Sequence, residues 1–199
     1  MRVERKNQGG NMTAPETKGW TSSVLGEIWR RNGETREMLL AEVRELSEVQ
    51  AAFQIGPRDW SIGEILDHLC LSERSIARTV SRVFQQAAGR GLVQDAAPEE
   101  APAPEIDEAK YNEPAGAPES VMPSPDRPLE RLLAGLAESR ERLVEVSARA
   151  DGRVVGRMTM QHFQLGDLDF YQWLLVEGAH ERKHLEQIRH VKAHQDFPR

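Results

Sequence analysis

Two histidines, His180 and His184, stand four residues apart in GAHERKHLEQI (178–188). Residues i and i+4 are neighbours on one face of a helix, so both imidazoles can reach one cation. Imidazole suits zinc, nickel and related divalent ions. Catalytic centres commonly hold the metal with three protein groups and leave a position open for water or substrate. His68 is the candidate third ligand. It lies in GEILDHLCLSE (63–73) beside Ile65, Leu69 and Ser72, close to the apolar stripe of its segment. A histidine facing a bundle interior needs a polar partner, and facing helices can build a metal site from such side chains.

The same run contains H-E-x-x-H, the zinc-protease signature, and His190 falls where such proteases place a third ligand. The protease pattern needs glycine before that ligand, so that the chain can turn back to the metal. Here the position is Gln187, a good helix former, and no methionine follows His184. On a continuing helix His190 lies roughly 80° behind His180 and about 9–15 Å further along. It and His194 are expected as a solvated pair near the helix end. Glu181 is accordingly expected as an exposed or rim carboxylate rather than a general base. Glu177, one turn before His180, is the candidate flanking acid or base. Cys70 points about 200° away from His68 on a helix and reads as a packed thiol. His162 lies in a link that sequence does not place.

The elements needed to hold these residues are legible as four amphipathic segments. Trp20 to about Val49 carries Val24, Leu25, Ile28, Trp29, Met38, Leu39, Val43 and Leu46 near 3.6 periodicity. Gly56-Pro57 breaks the chain, and Ser61 with Glu64 forms a capping-box pattern that opens a second helix to about Ala88. Leu129, Leu132, Leu133, Leu136, Leu143 and Val146 mark a third helix, with Pro128 in its first turn. Asp169 with Gln172 opens the fourth, which is expected to run to about His194. Trp29 and Trp173 fit core positions, and Trp60 fits a hydrophobic staple against Ile65. Between the third and fourth helices, residues 151–166 read as an irregular link with a short extended piece at Val154-Val155. No convincing strand pair is evident.

Residues 89–127 differ in character. Eight of the eleven prolines fall in 98–128, mixed with Ala, Glu and Asp. The segment reads as a flexible acidic Pro/Ala-rich insertion between helices two and three. The expected architecture is all-α, an antiparallel four-helix bundle over residues 19–199, preceded by a flexible tail at 1–18.

Composition limits the partners. The net charge of -6 argues against nucleic acid, which wants a basic face. No apolar run approaches the roughly 20 residues that span a bilayer. The polar N-terminus shows no secretion signal, and Cys70 is the only cysteine, which fits a reducing cytoplasm. A small-molecule substrate is the partner expected.

These residues also carry a resemblance. DWSIGEILDHL (59–69) resembles the W-S-x-x-x-x-x-x-H entry to helix two of the DinB-like family of four-helix bundle proteins. HFQLGDLDFYQWLLVEGAHERKHLEQI (162–188) resembles that family's H-x-x-x-G-x-x-x-x-x-x-W segment ending in H-x-x-x-H-x-x-Q-I. The family includes bacillithiol S-transferase-like and mycothiol-dependent enzymes, and the likeness covers roughly residues 20–88 and 128–195. It implies His68, His180 and His184 as a metal triad, with nickel or zinc, or else iron or manganese, as the ion. It further implies a low-molecular-weight thiol as co-substrate, a thiol S-transferase-like or isomerase-like activity, and compatibility with a homodimer. A metal-dependent hydrolase and a non-catalytic metal-binding bundle are the alternatives. The long 89–127 connection departs from the family pattern and bears on access to the site.

Overall fold

The structure, a computed structural model, describes residues 19–95 and 104–199. The expected tail at 1–18 lies outside them, as do residues 96–103 of the long connection. Four long helices form the body: α1 (Ser23–Val43), α3 (Ile62–Gly89), α5 (Leu129–Ser147) and α6 (Phe170–Lys192). Two short helices, α2 (Glu48–Ala51) and α4 (Glu108–Tyr111), decorate the connections. No helix among the described residues is long and apolar enough to cross a membrane.

Capping chemistry sets most helix starts. Ser61 accepts the Glu64 N–H at 3.1 Å while the Glu64 carboxylate accepts the Ser61 N–H at 2.8 Å. Asp169 and Gln172 make the same reciprocal pair at the start of α6. These boxes satisfy N–H groups that a helix N-terminus otherwise leaves unpartnered. The same chemistry divides the first segment, expected as one helix to Val49. Ser47 and Gln50 form a further capping box, so α1 stops at Val43 and the chain restarts as α2. Pro128 precedes α5, whose Leu129 N–H is accepted by the Glu48 carboxylate of α2 at 3.0 Å. At the end of α3, Gly91 adopts φ +68°. This lets Leu92 N–H reach back to the Ala87 carbonyl at 2.9 Å.

α1 and α6 run in one direction, and α3 and α5 in the other. α3 packs on α5 and α6, and α1 on α6. The long 90–128 connection carries the chain back along the bundle, which makes α3 and α5 parallel neighbours. Two short antiparallel ribbons complete the fold. β1 (Val93–Asp95) pairs with β2 (Arg153–Val155), joining the C-terminal ends of α3 and α5. β3 (Met160–His162) pairs with β4 (Gly166–Leu168) as a hairpin. The absence of strand pairs expected from sequence is thus corrected. Three-residue strands are too short to display the alternation that marks a strand in sequence.

Two apolar clusters fill the bundle. One gathers Leu25, Trp29, Val80, Leu143, Phe170 and Leu174; the other gathers Leu39, Ile62, Leu66, Leu132, Leu136 and Ile188. A polar layer separates them: Arg36 on α1, Glu73 on α3, Arg140 on α5, and Glu177 and Glu181 on α6, all buried. Arg140 binds Glu73 at 2.6 Å and Glu177 and Glu181 at 2.7 Å each. Arg36 pairs with Glu181 and with Glu73, and also donates to the Leu136 carbonyl at 2.9 Å.

Candidate metal centre

The imidazoles of His68, His180 and His184 meet beside this polar layer. α3 supplies His68 two turns after its capping box, and α6 supplies the other two one turn apart. His68 Nε2 lies 3.0 Å from His180 Nε2, and His184 Nε2 lies 3.1 Å from the same atom. Among the described residues these three form the group of ligand atoms able to hold an ion, all within 4.8 Å of one another.

Hydrogen bonds behind the rings fix which nitrogen faces inward. His68 Nδ1 donates to the Val121 carbonyl at 2.7 Å, and His184 Nδ1 donates to Gln187 Oε1 at 2.9 Å. Both rings therefore turn an Nε2 lone pair toward His180 Nε2. That atom has at most one proton to give, so at least one of the two close contacts otherwise sets lone pairs face to face. A cation accepting all three resolves the conflict. The two separations from His180 Nε2 fit one: two nitrogens each about 2.0–2.1 Å from an ion, at angles between 90° and tetrahedral, lie roughly 2.9–3.4 Å apart. The outer hydrogen bonds are those that orient ligating histidines.

The electrostatics agree. Burial lowers the pKa of His68 against the pull of the Val121 carbonyl. Burial, and then the neighbouring His184 and His68, hold His180 well below its ordinary value. Burial and His68 bring His184 to about 4. Ligation needs neutral imidazoles, and this setting keeps them so.

The triad opens on a pocket of about 220 Å³. Trp60 forms one wall, with its ring 4.8 Å from that of His68 and stacked on His184 at 6.3 Å. Sequence assigned Trp60 only to a staple against Ile65. Tyr111, Phe163 and Trp173 gather around His162, which the β3–β4 hairpin delivers to the pocket. The described part of the long connection, 104–127, was expected as a loose insertion. It packs on the site instead: Tyr111 and Val121 are buried, and Gln172 and Gln164 bond its backbone carbonyls. Val121 acts through its backbone carbonyl, which no side-chain pattern reveals.

Other expectations resolve as follows. Glu181, expected at the rim, is 1% exposed and binds Arg36 and Arg140. One residue past His180 on a helix turns it about 100° away, into the layer between α1 and α5. Glu177 also faces this layer: its Oε1 binds Arg140, and its Oε2 is buried with no partner. Burial pushes its carboxyl well above the usual range, against the pull of Arg140. Burial also works against ionisation of Glu73, but Arg140 and Arg36 outweigh it and hold that carboxyl below the usual range. Cys70 is buried with its thiol pushed up to about 12, mainly by burial, which makes it a poor nucleophile. His190 is exposed, and His194 is half-buried with its ring tilted against that of Phe53, 5.8 Å between centroids.

Comparisons with known proteins bear on most of the chain. The family model of the DinB superfamily matches residues 32–188. Among solved structures, the chain resembles the crystal structure of TT2238, a four-helix bundle protein. The TM-score is 0.58 at 23% sequence identity, covering 82% of this chain and 97% of that one. At that identity the likeness shows the fold. No curated protein matches the chain.

Proposed function

The chain belongs to the DinB superfamily, and from that premise we propose that it is a divalent-metal-dependent enzyme acting on a small molecule through His68, His180 and His184. The observation that carries the reading is the convergence of three Nε2 atoms, two of them with Nδ1 already committed to an outer acceptor. Zinc or nickel suits an all-imidazole set, with iron or manganese as alternatives.

The reaction that fits best is transfer to or from a low-molecular-weight thiol, or an isomerisation assisted by one. A divalent cation at the triad supplies Lewis acidity that favours thiolate over thiol. The chain's own residues then do the rest. His68 and His184 stay fixed by Val121 and Gln187, so the open side of the site faces the pocket. The aromatic walls exclude water and hold an apolar substrate body.

Metal-dependent hydrolysis is the alternative, and one feature disfavours it. A hydrolytic water wants a neighbouring general base. None of the described residues lining the pocket carries a carboxylate, and Glu177 and Glu181 are engaged by Arg140. In this reading Glu177 supports the polar layer rather than the chemistry. A non-catalytic bundle is a third alternative.

Elemental analysis of purified protein, followed by assays of thiol conjugation against thiol-free ester and amide hydrolysis, tests the proposal. About one metal ion per chain, lost in His68→Ala, and turnover only with thiol are expected. Turnover without any thiol overturns the transferase reading. A protein that neither carries nor takes up metal overturns the metal site.

A further inference from the structure

The pocket beside the triad is chemically lopsided. Its walls are aromatic and apolar, and the described residues lining it include no carboxylate. They do include Lys183. Among the described residues, the Lys183 ammonium makes long hydrogen bonds alone, to the Tyr111 carbonyl at 3.3 Å and the Glu113 carbonyl at 3.4 Å. It also lies 5.6 Å from the centre of the Tyr111 ring. An ammonium carries three N–H donors, so one remains for a ligand.

His162 supplies a second donor. Its Nδ1 accepts the backbone N–H groups of Gln164 and Leu165, each at 3.2 Å. Two donors aimed at Nδ1 bar a proton there, so a neutral His162 carries its hydrogen on Nε2. The hairpin turn thus fixes the tautomer, and Trp173, 5.2 Å away ring to ring, fixes the plane. The ring is buried in the pocket wall, and Nε2 has no hydrogen-bond partner among the described residues. A built N–H donor, a cation and a cation-binding triad then share one cavity, with no anion among the described lining residues to balance them.

We infer that the small molecule taken by this pocket carries a carboxylate on a compact apolar or aromatic body, and that His162 and Lys183 bind that carboxylate. The inference rests on reading this cavity as the substrate site, and it deepens that reading by naming the substrate class. At about 220 Å³ the cavity is smaller than the roughly 300–1,000 Å³ that drug-sized ligands occupy, which favours a body of one ring or a short chain.

Phenylacetate and its neutral counterpart phenylacetamide are suitable probes, titrated calorimetrically into the full chain with zinc and after chelator treatment. Phenylacetate is expected to bind about tenfold more tightly than the amide, the effect of one charge-assisted contact. His162→Leu should remove most of that preference, and His162→Gln, which keeps an N–H donor, should restore part of it. Lys183→Met should also reduce it. Both effects should persist in the chelator-treated protein.

Equal binding of acid and amide overturns the inference. So does a preference that survives both substitutions, or one that vanishes with the metal and ignores His162. If the protein binds no zinc yet keeps a His162-dependent preference, the inference stands and the metal reading falls. If circular dichroism shows His162→Leu unfolded, Lys183→Met decides alone: a preference it leaves unchanged overturns the inference.

Discussion

Gln187→Leu isolates the outer support of the triad. Gln187 is half-buried on α6, and its Oε1 accepts the His184 Nδ1–H at 2.9 Å. The substitution keeps a good helix former and similar bulk, so α6 should persist. What it removes is the acceptor that points the His184 lone pair inward. Loss of such a partner typically costs about 10–100-fold in metal affinity, or roughly 1.4–2.7 kcal/mol. The equivalent bond on His68 goes to the backbone carbonyl of Val121, which substitution cannot delete, so Gln187 is the accessible handle. Zinc affinity would be read by competition with a chromophoric chelator at constant pH. Gln187→Leu should bind at least about tenfold more weakly than wild type, and His184→Ala far more weakly still. Metal-free melting should move little, because one half-exposed hydrogen bond is worth only about 0.5–1.5 kcal/mol. A Gln187→Leu affinity within twofold of wild type, alongside loss in His184→Ala, refutes the orienting role. Unchanged affinity in both refutes the triad itself.

Arg140→Met leaves three buried carboxyl groups short of their shared partner and should destabilise the protein by about 3–5 kcal/mol in urea unfolding; a loss below about 1 kcal/mol would show that the layer relaxes freely. Glu177→Gln keeps the bulk and an oxygen for Arg140 at a position where burial already disfavours the carboxylate, so stability at neutral pH should stay within about 1 kcal/mol of wild type and thiol-dependent turnover should persist, whereas loss of turnover with zinc still bound would make Glu177 part of the chemistry. The metal-free protein should lose stability as pH falls below the ordinary histidine value of 6.5 toward about 4, because the unfolded chain takes up a proton at His184 that the folded one refuses; His184→Ala should flatten that slope, and an unchanged slope counts against the desolvated triad. Nickel should quench tryptophan emission in wild type and less in Trp60→Phe, since that ring lies 4.8 Å from His68; equal quenching in both places the ion elsewhere.

The sequence went furthest where the cause is local. The i,i+4 spacing of His180 and His184, the Ser61 and Asp169 capping boxes, and the apolar stripes of four helices are short-range facts, and the bundle follows from them. Gln187 already argued that α6 continues past the protease-like motif, and it does, to Lys192. The sequence missed where a short competing signal intervened: Ser47 with Gln50 restarts the chain after α1, and three-residue strands leave no period to read.

Long-range neighbours belonged to the tertiary structure alone. Helical periodicity turns Glu181 away from His180, but it does not say that Arg36 and Arg140 wait there, from α1 and α5. Pro/Ala richness reported that 89–127 builds no core of its own. It did not report that the 104–127 stretch lies on the site and supplies the Val121 carbonyl to His68. His162 and Trp60 came to the pocket because packing brought a hairpin and a helix entry to the same mouth. Periodicity states which face of an element is apolar; only the docking of those faces decides which polar groups are buried together. There the cost of leaving a buried donor, acceptor or charge unpartnered selects the pairs.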